Sequence, residues 1–338
     1  MFSSPIRLYF IRKDMPESGI ISTTLRASSQ IRFPFPNGFF HRKTPESGCL
    51  ARVSNAWSAG FKPLYKTGFI LLMIIPCTVL QKKKLRSAVL SPFSRSYRDR
   101  HEINNLAPEI AIAYAHGVTT PDGRIFYLKN AKCGCTTISQ MLHTYIFGAP
   151  FPGNIHQSDA LPLGLRHFRL HRAAIANSEA VKFSFVRHPF SRLKSAFCDF
   201  FVDDRRNPQA LRHWDNMLAL GFKPGGDINY NFDVFLHYVG LNLERAELHC
   251  DEHWRPQFIS LGSGKIAYDK IGRFENFSAD LKEIFSNAGL PLLVALVERK
   301  MTFNQSSNET RDDLTISRAQ ASKIRSLYAM DFEAYGYE

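Results

Sequence analysis

Twice in this chain a short, continuous apolar run leads into a polar loop and then into apolar residues at helical spacing. In "DGRIFYLKNAKCGCTTISQMLHTYIF" the run Ile125 to Leu128 reads as a buried strand, and Ile138, Met141, Leu142, Tyr145 and Ile146 line one helical face. In "AVKFSFVRHPFSRLKSAFCDFF" the strand is Val181 to Val186, Pro189 suits the first helical turn, and Leu193, Ala196, Phe197 and Phe200 mark the buried face. Strand, loop and helix repeated in this order predict an α/β protein with a parallel sheet flanked by helices.

Both junctions carry groups that suit an anion. The first free N–H groups of a helix and its dipole point back at the loop before it. Lys132 supplies a mobile cation there, Gly134 lets the backbone approach closely, and Thr136 and Thr137 offer hydroxyls and candidate caps. The GxxxxGK[ST] spacing of a nucleotide triphosphatase is absent. Cys133 and Cys135 provide only two ligands, too few for a zinc site by themselves. At the second junction Arg187 lies at the end of its strand, where ligands bind in open α/β sheets, and Ser195 lies two turns into the helix. A guanidinium and a hydroxyl so placed suit a phosphate.

Charge divides the chain. Its 338 residues carry a net charge of +13, but residues 1 to 100 hold 17 Lys and Arg against 4 Asp and Glu, leaving 26 against 26 in the remainder. The basic part therefore reads as a largely irregular extension, and nucleic acid is not an expected partner of the neutral body. Within it, "TGFILLMIIPCTVL" at 67 to 80 is the one membrane candidate, too short to span easily and interrupted by Pro76. Six cysteines form no dense framework, so reduced thiols are expected.

With these motifs in place, the chain resembles the carbohydrate sulfotransferases that modify chondroitin and related glycans, and it is expected to be a bacterial relative. "AKCGCTT" is similar to the family's 5′-phosphosulfate loop, and "FVRHPFSRLKSAF" to its 3′-phosphate motif. "DEHWRPQ", "YDKIGRFENFSADL" and "LYAMDFEAYGY" fall where the family has related segments. The resemblance covers residues 120 to 338 and implies a domain over 101 to 338 with phosphate-loop-like topology and no metal requirement. It also implies 3′-phosphoadenosine 5′-phosphosulfate as sulfuryl donor and a carbohydrate or glycoconjugate hydroxyl as acceptor. Lys132, Gly134, Cys135, Thr136 and Thr137 would surround the 5′-phosphosulfate, and Arg187 and Ser195 the 3′-phosphate. Ala131 stands where the family usually has proline, and no cysteine follows the HWRPQ segment as in many animal members.

The acceptor must lose a proton, which calls for a base near working pH. His253 is the first candidate, with Asp251 and Glu252 beside it to orient it or replace it, and His156 is the reserve. Glu275 and Asn304 occupy family-like places, and Arg166, His167, Arg169, His171, Arg172, Arg205 and Arg206 lie between the motifs, where two readings stand equal: contacts to an anionic sugar, or solvated surface. The expected compartment is the cytoplasm, with membrane association through 67 to 80 left open; a lumenal enzyme anchored by that segment is the alternative. Two other functions are weighed: a kinase or nucleotide triphosphatase, and an inactive phosphate-loop protein that binds polyanions or membrane through its basic arm.

Overall fold

The computed structural model describes residues 84–157, 159–203, 208–299 and 314–338, together with three short strands near the N-terminus. The chain divides into two units, Met1–Ile74 and Ile75–Glu338. In the first, β1 (Tyr9–Arg12) pairs antiparallel with both β2 (Ile21–Ser22) and β3 (Phe69–Leu71). The apolar stretch 67 to 80 contributes β3 and otherwise lies outside the described residues. No helix among the described residues is long and apolar enough to cross a membrane.

The second unit starts with helices α1 (Lys84–Leu90), α2 (Arg95–Asn105) and α3 (Pro108–His116). Strands β4 (Gly117–Thr119) and β5 (Ile125–Leu128) follow, then α4 (Cys135–Phe147), α5 (Phe168–Ala176), β6 (Val181–Val186) and α6 (Pro189–Phe197). The last runs directly into a π-helical turn, Cys198–Val202. Next come α7 (Pro208–Ala219), α8 (Ile228–Ala246), the short α9 (Gln257–Ser260) and β7 (Lys270–Arg273). Helices α10 (Phe277–Asn287), α11 (Pro291–Glu298), α12 (Arg318–Leu327) and α13 (Ala329–Tyr335) complete the unit.

The four strands form one sheet in the order β4-β5-β6-β7, parallel except for the antiparallel edge strand β4. Both expected strands have the boundaries that their apolar runs mark. Alternation along β5 explains why the run is apolar throughout, since strand side chains point to opposite faces in turn. Ile125 and Tyr127 join a core with Ile138 and Leu142 of α4 and Leu281 and Phe285 of α10. Phe126 and Leu128 join one on the other face with Ala174 of α5, Leu261 and Ile266. Helices therefore cover the sheet on both sides. A third core, built on Phe197, Phe232, Phe235, Trp254 and Tyr328, packs α6 against α8 and α12.

Strand β5 pairs with β6 in parallel register, Ile125 with Val181 and Leu128 with Ser184. Their carboxyl ends thus emerge side by side, with the Lys132 loop on one and Arg187 on the other.

Candidate functional site

The loop after β5 turns through two left-handed residues, Lys132 at φ +66° and Gly134 at φ +80°. A Cβ at 134 would lie 2.5 Å from Cε2 of Phe277, so conformation and space both demand glycine. Gly134 is also the N-cap of α4, and no side chain caps that helix. The caps expected from Thr136 and Thr137 are therefore corrected: a glycine already in left-handed geometry starts the helix. The N–H groups of its first turn point into the loop, as an anion requires. The Thr136 hydroxyl instead meets Nε2 of His156 at 2.9 Å, and the Cys135 thiol lies 3.9 Å from the same nitrogen. Thr137 is buried below the loop. Burial pushes the Cys133 thiol up to about 12, and its Sγ lies 3.3 Å from Gln257 Oε1.

Nη1 of Arg187 donates to the backbone carbonyl of Lys132 at 3.3 Å, and the guanidinium lies 4.5 Å from the centre of the Phe274 ring. The Lys132 ammonium forms a 2.9 Å ion pair with Asp199, which the π-helical turn presents. Such turns tend to occur at functional positions. Ser195 is half-buried on the second turn of α6.

His253 is held through Nδ1, 2.7 Å from Asp251 Oδ1. The other oxygen of Asp251 receives His213 Nε2 at 3.2 Å, and His213 Nδ1 meets the Tyr238 hydroxyl at 2.7 Å. Burial alone would raise the Asp251 carboxyl, but the His253 charge and the two histidine hydrogen bonds hold it below the usual carboxylate range. Glu252 turns elsewhere, to His116 Nδ1 at 2.9 Å and Lys129 Nζ at 4.0 Å. His156 is held down to about 4, first by burial and then by the charge of Lys129, with His253 and Lys132 adding to it.

The structure also identifies residues to which the sequence had assigned no role. Gln257, fully buried, hydrogen-bonds Asn130, Cys133, Arg187 and Asp331. Arg192 is 1% exposed and donates to the carbonyls of Ala131, Glu252 and Arg255. Both lie inside the family-like motifs quoted above, which was the available signal; Asp199 falls two residues past the end of one. Glu275 accepts from the His188 N–H at 2.7 Å and from Tyr337 at 3.2 Å, so it braces the turn after Arg187. Arg166, Arg169 and Arg172 pair with Asp159, Asp99 and Glu102. The last two pairs dock α2 on α5. Asn304, Arg205 and Arg206 lie outside the described residues.

Residues 115–338 match the model of the Sulfotransferase family. Carbohydrate sulfotransferase 14 of Danio rerio is 26% identical over 187 residues, 53% of this chain and 48% of that protein. Carbohydrate sulfotransferase 11 of Mus musculus is 23% identical over 242 residues, covering 66% of this chain and 67% of that protein. Carbohydrate sulfotransferase 10 of Rattus norvegicus is 28% identical over 173 residues, 46% of this chain and 47% of that protein. The chain thus spans about half the length of the first of these relatives. All three are animal proteins, which gives no support to the expected bacterial origin, and none is a kinase. No solved structure matches.

Proposed function

The chain belongs to the sulfotransferase family, and on that premise we propose that it moves a sulfuryl group from 3′-phosphoadenosine 5′-phosphosulfate to a hydroxyl of a carbohydrate or glycoconjugate. The observation that carries this reading is the meeting of the Lys132 loop and Arg187, linked by a 3.3 Å hydrogen bond at the carboxyl ends of the two central strands. The names of the three relatives support a carbohydrate acceptor.

The donor suits the residues present. It needs a loop whose backbone turns tightly ahead of a helix, and Gly134, left-handed at φ +80°, provides that turn. It needs anion donors, and α4 presents its uncapped first turn. When bound, the donor supplies an activated sulfuryl group on a phosphate leaving group. Gly134, Cys135, Thr136 and Thr137 would hold the 5′ end through the loop and the start of α4. Arg187 would hold the 3′-phosphate by a charge-assisted fork, its plane steadied on Phe274, with Ser195 adding a hydroxyl. Lys132 would neutralise the charge that grows on the leaving oxygen, an electrostatic role worth roughly 3 to 4 kcal/mol by analogy with single oxyanion donors.

His253 would take the acceptor proton. Its Nδ1 hydrogen is directed at Asp251, which leaves Nε2 as the accepting nitrogen. Asp251 fixes that tautomer and stabilises the imidazolium as it forms; His213 and Tyr238 fix Asp251 in turn. His156, whose Nε2 faces Thr136, has less basicity to offer at about 4.

Transfer of labelled sulfate from the donor to a panel of glycan, glycolipid and small hydroxyl acceptors tests the proposal. Label must appear on a sugar hydroxyl; donor binding without transfer to any carbohydrate would refute the acceptor class. A cytoplasmic location belongs to the same proposal, and fractionation with protease protection checks it.

A further inference from the structure

The two halves of the donor site lie on different strands and must keep a fixed spacing if one nucleotide is to bridge them. A buried side chain bonds to both. Gln257, the first residue of the short helix α9, is completely buried. Its Oε1 accepts from the backbone N–H of Arg187 at 2.9 Å, while its Nε2 donates to the carbonyl of the same residue at 2.8 Å. The side-chain amide thereby pairs with the Arg187 main chain as a neighbouring strand would, one residue beyond the end of β6.

The same Oε1 receives Asn130 Nδ2 at 3.2 Å and the Cys133 thiol at 3.3 Å. These two residues flank Lys132 in the loop. Asn130 adds a second stitch, donating to the carbonyl of Phe185 at 2.9 Å. The remaining hydrogen of Gln257 Nε2 points to Asp331 Oδ2 at 3.3 Å, and that carboxylate also accepts the N–H groups of Gln257 at 2.9 Å and Phe258 at 2.8 Å. Asp331 on α13 thus caps α9 and aims its first side chain.

We propose that Gln257 is a positioning residue that sets the spacing between the Lys132 loop and Arg187, so that the site recognises two phosphates at once. This rests on the donor assignment above. Its physical basis is preorganisation: a ligand gripped at both ends gains most when the grips are already in register, whereas a ligand gripped at one end gains little from the second.

Adenosine 3′,5′-bisphosphate, adenosine 5′-monophosphate and adenosine 3′-monophosphate provide the test, with calorimetric affinities measured on the full chain. Gln257→Met roughly keeps the volume and removes every side-chain hydrogen bond, leaving the backbone N–H bond to Asp331 in place. It should weaken the bisphosphate by about tenfold or more, while each monophosphate changes by less than about threefold. A uniform loss for all three ligands, or no loss, overturns the proposal, because a merely structural residue has no reason to single out the bisphosphate. If Gln257→Met does not fold, Asn130→Ser is read by the same criterion, since it removes one of the loop's two ties to that oxygen together with the Asn130 bond to Phe185. If the unaltered chain fails to bind the bisphosphate, the donor assignment itself falls and this inference with it.

Discussion

The guanidinium of Arg187 donates to the carbonyl of Lys132 at 3.3 Å, although 55 positions separate the two residues. Adjacent parallel strands make this possible: β5 and β6 end side by side, so the residues that follow them emerge together. A ligand with anions at both ends can then be held by chemistry from two distant stretches of sequence.

Lys132→Ala should lower kcat by about a hundredfold or more, since a preorganised cation at the leaving oxygen contributes roughly 3 to 4 kcal/mol. Its ammonium is tied to Asp199 by an exchangeable ion pair, so the fold should survive. Steady-state kinetics with circular dichroism as control decide; near-normal turnover would remove Lys132 from the mechanism.

Arg187→Lys keeps the charge but loses the planar fork and the stacking on Phe274. Affinity for the 3′,5′-bisphosphate should fall by about tenfold, and affinity for the 5′-monophosphate should hardly change. Titration calorimetry distinguishes this from a general loss of binding.

His253→Ala should cost between about a hundredfold and ten-thousandfold in kcat. Asp251→Asn should cost on the order of tenfold or more, through loss of the Nδ1–H tautomer rather than of donor affinity. Rate against pH for these variants and for His156→Ala assigns the base. An unimpaired His253→Ala would move the role elsewhere.

His156 and His171 are both held down to about 4, burial being the first cause at each, against an ordinary value of 6.5. His171 is wholly buried between the Thr119 hydroxyl at 2.7 Å and the Gly164 carbonyl at 3.0 Å. A histidine whose pKa is depressed on folding binds its proton better in the unfolded chain. The stability it contributes is therefore complete above 6.5 and lost as pH falls toward 4. Melting temperature should drop across that window, and the drop should be shallower in His156→Gln and His171→Gln. Slopes equal to that of the unaltered chain would show that neither histidine is coupled to folding.

Much of the scaffold was legible in the sequence because its signals are local. Continuous apolar runs mark β5 and β6, and Pro189 marks the start of α6, since each depends on neighbours within one element. The caps were misassigned because helix initiation at Gly134 depends on a left-handed turn packed against Phe277, a contact across 143 positions. Asp199 was not found because it reaches Lys132 through a π-helical turn that no spacing announces. Gln257 lay inside a quoted motif, but a side chain whose partners sit at 130, 133, 187 and 331 shows its role only once the chain is folded.

Asp331 comes later in the sequence than every group assigned to the nucleotide, yet its carboxylate aims the amide that links the two strands. A truncated product that stopped before this position would contain every group assigned to the nucleotide and still be unable to hold them in register. Maturation of the site would then wait until Asp331 and the helix that carries it have been made, so catalytic competence would lag behind synthesis of the groups that bind the nucleotide.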